Sequence, residues 1–525
     1  MIDGDMQSYA LTLDKFLDHA AKWNPNGQVV TARDGGGIGR IGYHDLRRRA
    51  RRVTAVLGDL GVETGHRVAT LAWNTQAHVE AWHAIMGMGA VCHTLNPRLT
   101  EVQLASMVSQ SQARVLIVSA DLAPLARGVA ARTPSLKHIL TIDDKGAAEE
   151  PSMVRLERLI EQATEEVAWG DFPETAPSGL CFTSGTTGPP KGVSYTHRSS
   201  FLHTLRQLQS DVMGISATDS VLMVVPMFHA NAWGLPFAAP AVGAKLVLPG
   251  RWLDGASLAR LINAEAATVA VGIATVWLGL IEHLDATGGE TPTLKRVVVG
   301  GAPLAPALME RIEQRLGVTV QMSWGMTEMS PLGTCASPGD PARSALVSGR
   351  PAIGVDLLLT DAEGRPLPEQ RGVEGHLRAR GSAVIARYFG ETESATDSDG
   401  WFPTGDLARI DADGNLAITG RAKDLIKSGG EWINPAEIEA VINEHPSVSL
   451  AAVIARPDTK WGERPMLVVQ TRDAAGVSDD ELLATLRGRV APWWIPDTVI
   501  RLEEMPLAST GKIDKMRLRV EHGGC

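Results

Sequence analysis

Four short clusters in this chain carry residues that could do chemistry. The first is TSGTTGPPKG, Thr183 to Gly192, with four hydroxyl side chains, three glycines and Lys191. Exposed backbone amides and hydroxyls in such a loop suit phosphate oxygens. A Walker loop requires Gly-Lys followed by Ser or Thr, but Lys191 follows two prolines and precedes Gly192. The loop is therefore a phosphate candidate of another kind. The second cluster, SWGMTEMSP (Ser323 to Pro331), offers the aromatic face of Trp324 and a carboxylate, Glu328, suited to magnesium. The third presents Asp406 from a Thr-Gly-Asp turn in GWFPTGDLARID, with Arg421 fifteen residues further on. An acid that accepts from two ribose hydroxyls, beside an arginine donor, could grip a nucleoside. The fourth, PLASTGKIDK, carries Lys512 on a glycine-bearing loop. Each also has a plain structural alternative: core packing for Trp324, a helix-start acid for Glu328, a turn acid and a surface arginine for Asp406 and Arg421.

The elements that must position these residues read as an α/β chain. SVLMVVP, AKLVLPG, ATVAVGI, KRVVVGG and VTVQMSWG, between residues 220 and 325, are short apolar runs that predict buried strands. SLARLINAE and APALMERIEQRL between them have the spacing of amphipathic helices. Such alternation predicts parallel or mixed sheets with helices on both faces, and ligands bind outside the strand ends of such sheets. RVATLAW, further toward the N-terminus, extends the pattern. After Gly349 the chain changes to short runs joined by Asp-Gly and Glu-Gly turns, which predict hairpins. DADGN (Asp411 to Asn415) lacks the further acidic ligands of a calcium loop and reads as one of these turns. From about Arg421 a smaller α+β unit follows, with helices PAEIEAVINEH and DDELLATLRGRV and strands SLAAVIA and MLVVQT. The expected division is a large domain over residues 1–420 and a small one over 421–525.

Bulk properties exclude several roles. A formal net charge of −10 argues against general nucleic-acid binding, which needs basic surface. The one basic run, LRRRARRV (Leu46 to Val53), is expected to be the solvated face of an early helix. The four cysteines lie far apart without metal-ligand spacing, which predicts reduced thiols. The N-terminal residues lack the basic start and long apolar run of a secretory signal, so a cytoplasmic protein without an integral membrane segment is expected.

Together, in this order, the four clusters resemble the adenylate-forming acyl-activating superfamily over nearly the whole chain. NPRLT, PMFHANAW and KDLIKSGGEWINP are most similar to its fatty-acyl-CoA synthetase branch. The resemblance implies an AMP-forming ligase that joins a carboxylic acid to CoA through an acyl-adenylate. ATP and CoA are consumed, with Mg2+ as cofactor. Thr183, Ser184, Gly185, Thr186, Thr187 and Lys191 would cradle the β- and γ-phosphates, with Thr183 and Glu328 near the metal. Gly301, Ala302, Pro303, Ser323, Trp324, Gly325, Met326 and Thr327 would line the nucleotide, Thr327 nearest the α-phosphate. Trp324 stands where the family usually has Tyr or Phe stacked on adenine. Asp406 and Arg421 would hold the ribose, and Lys427 and Trp432 would help bind the adenylate. His229, Ala230, Asn231, Trp233, Val276 and Gly300 would border the acyl pocket, with His229 either gating it or simply packing. Ala274 replaces a frequent family proline there.

Carboxylate attack on the α-phosphorus brings two anions together, so the family places a lysine at the developing charge; by position it is Lys512. A CoA thiol then expels AMP. One site cannot easily hold both Lys512 and a thiol channel. The resemblance implies a small domain that rotates about Lys423, with Ser428, Gly429, Gly430 and Glu431 then lining the pantetheine tunnel. Medium- or long-chain fatty acids are the expected substrates, with aryl or phenylpropenoic acids and methylmercaptopropionate-like short acids as alternatives. A carrier-protein adenylation domain is not expected, because no carrier segment follows Lys512 in this sequence. A non-catalytic nucleotide sensor would have no use for Lys512 or the hinge. A homodimer is expected from relatives within the branch.

Overall fold

The computed structural model describes residues 6–143, 152–183, 190–472, 477–508 and 512–523. Four sheets organise them. The largest has nine strands, and its centre consists of six parallel ones: Thr319–Gly325, Arg296–Gly300, Val269–Gly272, Ser220–Met223, Lys245–Leu248 and Gln28–Ala32. Their Val-, Leu- and Ala-rich runs are buried on both faces, which is why they read as continuous apolar segments. Helices Gly255–Glu265, Ala274–Thr287 and Pro306–Leu316 return the chain between successive strands. The hairpin Gln28–Ala32 and Ile38–Gly42 is inserted at the far edge, a long-range pairing without a local signal.

Strand order fixes where this sheet can hold a ligand. Ser220–Met223 lies between Lys245–Leu248 on one side and Val269–Gly272 on the other, so the winding direction reverses there. The chain leaving Met223 and the chain leaving Gly272 diverge and open a crevice at the strand ends, the favoured ligand position in such sheets. The seven-stranded sheet has a comparable reversal between Arg67–Leu71 and Val115–Ser119, but the first sheet covers it. Asn74, just beyond Leu71, donates to the carbonyls of Met223 (3.1 Å) and Val225 (2.9 Å) and accepts from Met227 N (2.8 Å). This buried side chain satisfies three backbone groups and joins the sheets.

The arginine run lies on the expected early helix and is half-exposed, but it is paired rather than simply solvated. It lies on helix Tyr43–Asp59, where Arg49 contacts both buried Glu80 (2.7 Å) and Glu157 (2.6 Å), Arg48 pairs with Glu165 (2.9 Å) and Arg47 with Asp18 (2.5 Å). The run fastens the first helices to the 157–165 segment.

Two units built mainly from antiparallel strands follow. Val355–Thr360, Glu374–Gly381, Phe402–Ile410 and Leu416–Arg421 form a meander. In the turn between the last two, Asp411 binds Asn415 through its backbone and side chain, and Gly414 adopts φ +90°. DADGN is thus a hairpin turn whose acid serves the turn itself. Beyond Arg421, Ile426–Ser428, Glu431–Ile433, Gly462–Thr471, Val448–Asp458 and Thr498–Arg501 make a sheet with its own apolar cores. DDELLATLRGRV is helical only over Asp479–Ala484; Leu486 turns into the core and Gly488 adopts φ +75°. Among the described residues no helix is long and apolar enough to cross a membrane.

Candidate active site

Asp406 and Arg421 are direct partners in neighbouring antiparallel strands, which explains their spacing: the DADGN turn folds one back onto the other. Arg421 Nε lies 2.6 Å from Asp406 Oδ1. Trp324, at the end of strand Thr319–Gly325, donates its indole N–H to Asp406 Oδ2 at 2.9 Å. Its ring is buried beside Met329, Leu359 and Leu377. Trp324 therefore packs in the core and also fixes the carboxylate. Asp406 is 2% exposed. Burial raises its pKa, while the Arg421 charge and the Trp324 hydrogen bond oppose the rise. Despite the nearby arginine, Oδ1 has no correctly angled hydrogen-bond donor. A buried acceptor left open in this way fits a ligand hydroxyl.

Lys512 comes to the same place from far along the chain. A Cβ added at Gly301 would stand 4.0 Å from Lys512 Cε and 3.9 Å from Ile273 Cγ2. Lys512 keeps an open side to the cleft, yet protein surrounds it closely enough to bring its pKa down to about 8. Loss of water is the main cause; the Arg421 and Lys423 charges add to it and Asp406 opposes it. Lys423 sits in the turn Ala422–Asp424, and its pKa is also lowered, first by desolvation. Asp424 pairs with Arg519 at 2.7 Å, tying that turn to the last helix.

The predicted acyl residues gather at the crevice where the nine-stranded sheet reverses. His229–Trp233 follow Ser220–Met223, Val276 lies in the first turn of the helix after Val269–Gly272, and Gly300 ends Arg296–Gly300. That helix begins at Ala274, a first-turn position where proline is also favoured, so the alanine leaves the start intact. Ala230, Asn231, Ala232 and Trp233 have φ between +43° and +53°, a left-handed run continued by Gly234 at +76°. It aims the Trp233 ring at Gly300, where an added Cβ would lie 2.9 Å from Trp233 Cη2. His229 is neutral: desolvation, with the Lys512 charge, lowers its pKa to about 4.

Thr183 N bonds Lys191 O at 2.9 Å and closes the base of the first cluster. Ser184, Gly185, Thr186 and Thr187 lie outside the described residues. Lys191 Nζ sits 4.7 Å from the ring centre of Tyr388. Glu328, in the turn Thr327–Met329, is 8% exposed, and burial raises its pKa. Tyr388 Oη donates to Glu328 Oε1 at 2.9 Å, and Tyr195 Oη donates to Thr327 O at 2.9 Å. Both tyrosines escape sequence reasoning, because nothing in ARYFGE or VSYTH marks an aromatic hydroxyl as a partner of a distant turn. Ser323 Oγ donates to Val299 O and Met326 N donates to Pro331 O, while Gly325 is closely flanked by Pro331; Ala302 and Pro303 follow the Arg296–Gly300 strand end.

Glu328 is a mostly buried carboxylate with no ion-pair partner among the described residues, an arrangement suited to a bound cation. No cluster of three metal-ligating side chains occurs among these residues. One carboxylate supplemented by substrate phosphates is a normal magnesium environment.

Lys427 and Trp432 are cross-strand partners on an exposed hairpin, with Nζ 5.5 Å from the indole centre; Trp432 is 56% exposed. Neither makes a hydrogen bond or ion pair with Asp406, Trp324 or Lys512. Ser428 and Glu431 pair at the tip of that hairpin. Between them Gly429 (φ +60°) donates to Trp461 O at 2.8 Å, while Gly430 adopts φ +94° with open space around it. The structure thus brings Lys512, Asp406, Arg421 and Trp324 together and leaves the 427–432 hairpin at the surface.

Two family models match this chain: "AMP-binding enzyme" over residues 17–389 and "AMP-binding enzyme C-terminal domain" over 437–512. It is 40% identical to a medium-chain-fatty-acid–CoA ligase of Ectopseudomonas oleovorans, covering 99% of this chain and 97% of the relative. It is 39% identical to a 3-methylmercaptopropionyl-CoA ligase of Ruegeria lacuscaerulensis, with coverage of 99% and 98%. Among solved structures it is similar to an anthranilate CoA ligase in complex with anthranoyl-AMP, with a TM-score of 0.88 and 25% identity over 99% of this chain and 98% of the other. With matches of that extent, the chain belongs to the AMP-binding enzyme family, the adenylate-forming acid–thiol ligases.

Proposed function

We propose that this ligase converts a medium- or long-chain fatty acid, ATP and CoA to acyl-CoA, AMP and pyrophosphate. The observation that carries this reading is the convergence of Lys512, Asp406 and Arg421 beside the Gly300–Gly301 strand end. Asp406 Oδ1, buried and short of a donor, accepts a ribose hydroxyl, and Trp324 holds the other carboxylate oxygen in place. The acid enters between Trp233, Gly300 and Val276, so that its carboxylate faces the α-phosphorus near Thr327. Lys512 meets the negative charge that develops in the transition state; an interaction of this kind contributes roughly 2.7–4 kcal/mol. The Thr183–Lys191 segment holds the departing pyrophosphate. Glu328 and Thr183, with phosphate oxygens of the substrate, would hold a magnesium ion, which would supply charge neutralisation.

The surface hairpin with Ser428, Gly429, Gly430 and Glu431 serves the second half-reaction. The nearness of Lys512 to the Gly300–Gly301 strand end supports an arrangement for the first half-reaction, from which the small unit would turn about Lys423 before CoA attacks. Lys427 and Trp432 reach the adenylate only after that turn. A cytoplasmic setting is supported by Cys92, Cys181 and Cys335, all buried and unpaired. A homodimer is the expected assembly, to be measured by sedimentation.

A second reading, a short thioether acid as substrate, is favoured by the similarity to the Ruegeria ligase. AMP release measured across a panel of acids, with and without CoA, tests both. CoA-dependent AMP release that rises with chain length supports the first reading, and preference for a short thioether acid replaces it with the second. Turnover that yields ADP overturns both.

A further inference from the structure

Tyr388 belongs to none of the four sequence clusters, yet it joins two of them. Its hydroxyl donates to Glu328 Oε1 at 2.9 Å, and its ring face lies 4.7 Å from the Lys191 ammonium. The backbone on either side is fixed to Glu328 and to the residue after Lys191: Ile385 N donates to Glu328 O at 3.0 Å, and Phe389 N donates to Gly192 O at 2.7 Å. The ring packs against the cluster formed by Cys181, Val193, Tyr195, Ile385 and Phe402. A half-buried phenol hydroxyl that spends its hydrogen on a carboxylate, while its π-face receives a cation, is a two-sided spacer. The hydrogen bond to the charged carboxylate is the stronger of the two contacts, and the cation–π contact with the exposed Lys191 adds a weaker hold.

We propose that Tyr388 is a positioning residue that registers Lys191 against Glu328, so that both charged groups meet one triphosphate. This rests on the functional reading above, in which Lys191 and Glu328 serve the β- and γ-phosphate end of ATP. AMP lacks those phosphates, so the spacer governs ATP binding and leaves AMP binding alone. The two halves of the side chain separate chemically: Tyr388→Phe removes the hydroxyl and keeps the ring face, while Tyr388→Leu removes both.

Equilibrium binding of ATP and AMP, each with and without magnesium, tests this on the intact chain. Tyr388→Phe is expected to weaken ATP binding about tenfold in magnesium, the loss of one charge-assisted hydrogen bond, and to leave AMP affinity within about twofold. Lys191→Ala is expected to cost the same in the Tyr388→Phe background as in the parent, but less in the Tyr388→Leu background. Unchanged AMP affinity also serves as the folding control for each variant. Equal weakening of ATP and AMP, or wild-type ATP affinity in Tyr388→Phe, overturns the proposal. Because binding is the readout, a chain that binds as expected but forms no acyl-CoA would refute the functional reading and spare the role of Tyr388.

Discussion

Titrating the reaction upward in pH tests the placement of Lys512 without changing a residue. On the proposed placement the ammonium assists the first half-reaction only while protonated, and burial brings its pKa from an ordinary 10.5 to about 8. The sign is fixed by the charge required: the rate is full below the shifted pKa and falls as pH rises through it. With a midpoint of about 8, the protonated share is about nine-tenths at pH 7, about half at pH 8 and about one-tenth at pH 9. ATP–pyrophosphate exchange, followed as kcat/KM for ATP, reports the free enzyme and should follow that curve. Saturating ATP favours the charged lysine, so the midpoint in kcat should lie higher. Thioester formation from supplied acyl-adenylate should show no such fall, because more of the CoA thiol ionises with rising pH. Lys512→Arg, which stays charged, should lose the alkaline limb whatever its residual rate. Lys423 opposes protonation of Lys512, so Lys423→Gln should move the limb to higher pH. Exchange that stays flat to about pH 9.5 in the parent, or a parallel decline in both half-reactions, refutes the placement of Lys512 at the reacting phosphate.

Two substitutions separate the remaining parts of the site. Trp324→Phe keeps an aromatic ring but leaves the buried Asp406 without its 2.9 Å donor, and an unsatisfied buried polar group costs about 1–3 kcal/mol. Calorimetry should therefore show ATP and AMP affinity falling together, about tenfold; loss of ATP affinity alone would assign Trp324 to the phosphate end instead. Gly429→Ala must place a Cβ 2.6 Å from Trp461 Cε3 at φ +60°, a strain of about 1–3 kcal/mol. Stopped half-reactions should show thioester formation slowed at least fivefold and pyrophosphate exchange unchanged, and equal loss of both would remove the hairpin from the CoA step.

Much of this architecture is legible in the sequence because burial writes it locally. A strand covered on both faces is mostly apolar, so KRVVVGG and VTVQMSWG declare themselves, and the buried Gln321 and Ser323 of the second are hydrogen-bonded. Asp406 and Arg421 were readable as a pair because one tight turn returns the chain after a fixed number of residues. The arginine run illustrates the opposite situation. Composition gives its charge, but its partners Glu157 and Glu165 are more than a hundred residues away and become neighbours only through the fold. Tyr388 is hidden for the same reason, since its meaning depends on a turn sixty residues earlier.

The left-handed run at Ala230–Trp233 is illegible for a stronger reason: local preference points the other way. Each such residue costs about 1–2 kcal/mol when it carries a Cβ. No sequence rule would place four of them in succession without glycine, so the conformation has to be held from outside. Ala232 is fully buried, Trp233 lies against Gly300, and Gly234 ends the run at a position where any Cβ would meet His203 and Gln207. Gly300 is thus constrained twice, as the end of a central strand and as the only residue small enough to admit the Trp233 ring. A site in which packing overrides propensity is where function is expected to be concentrated. Here it coincides with the crevice at which the nine-stranded sheet reverses its winding. The proposed acyl pocket is therefore shaped by contacts that appear only after folding, which is why the reaction class can be read from motifs while, on that proposal, the identity of the acid depends on the geometry around Trp233.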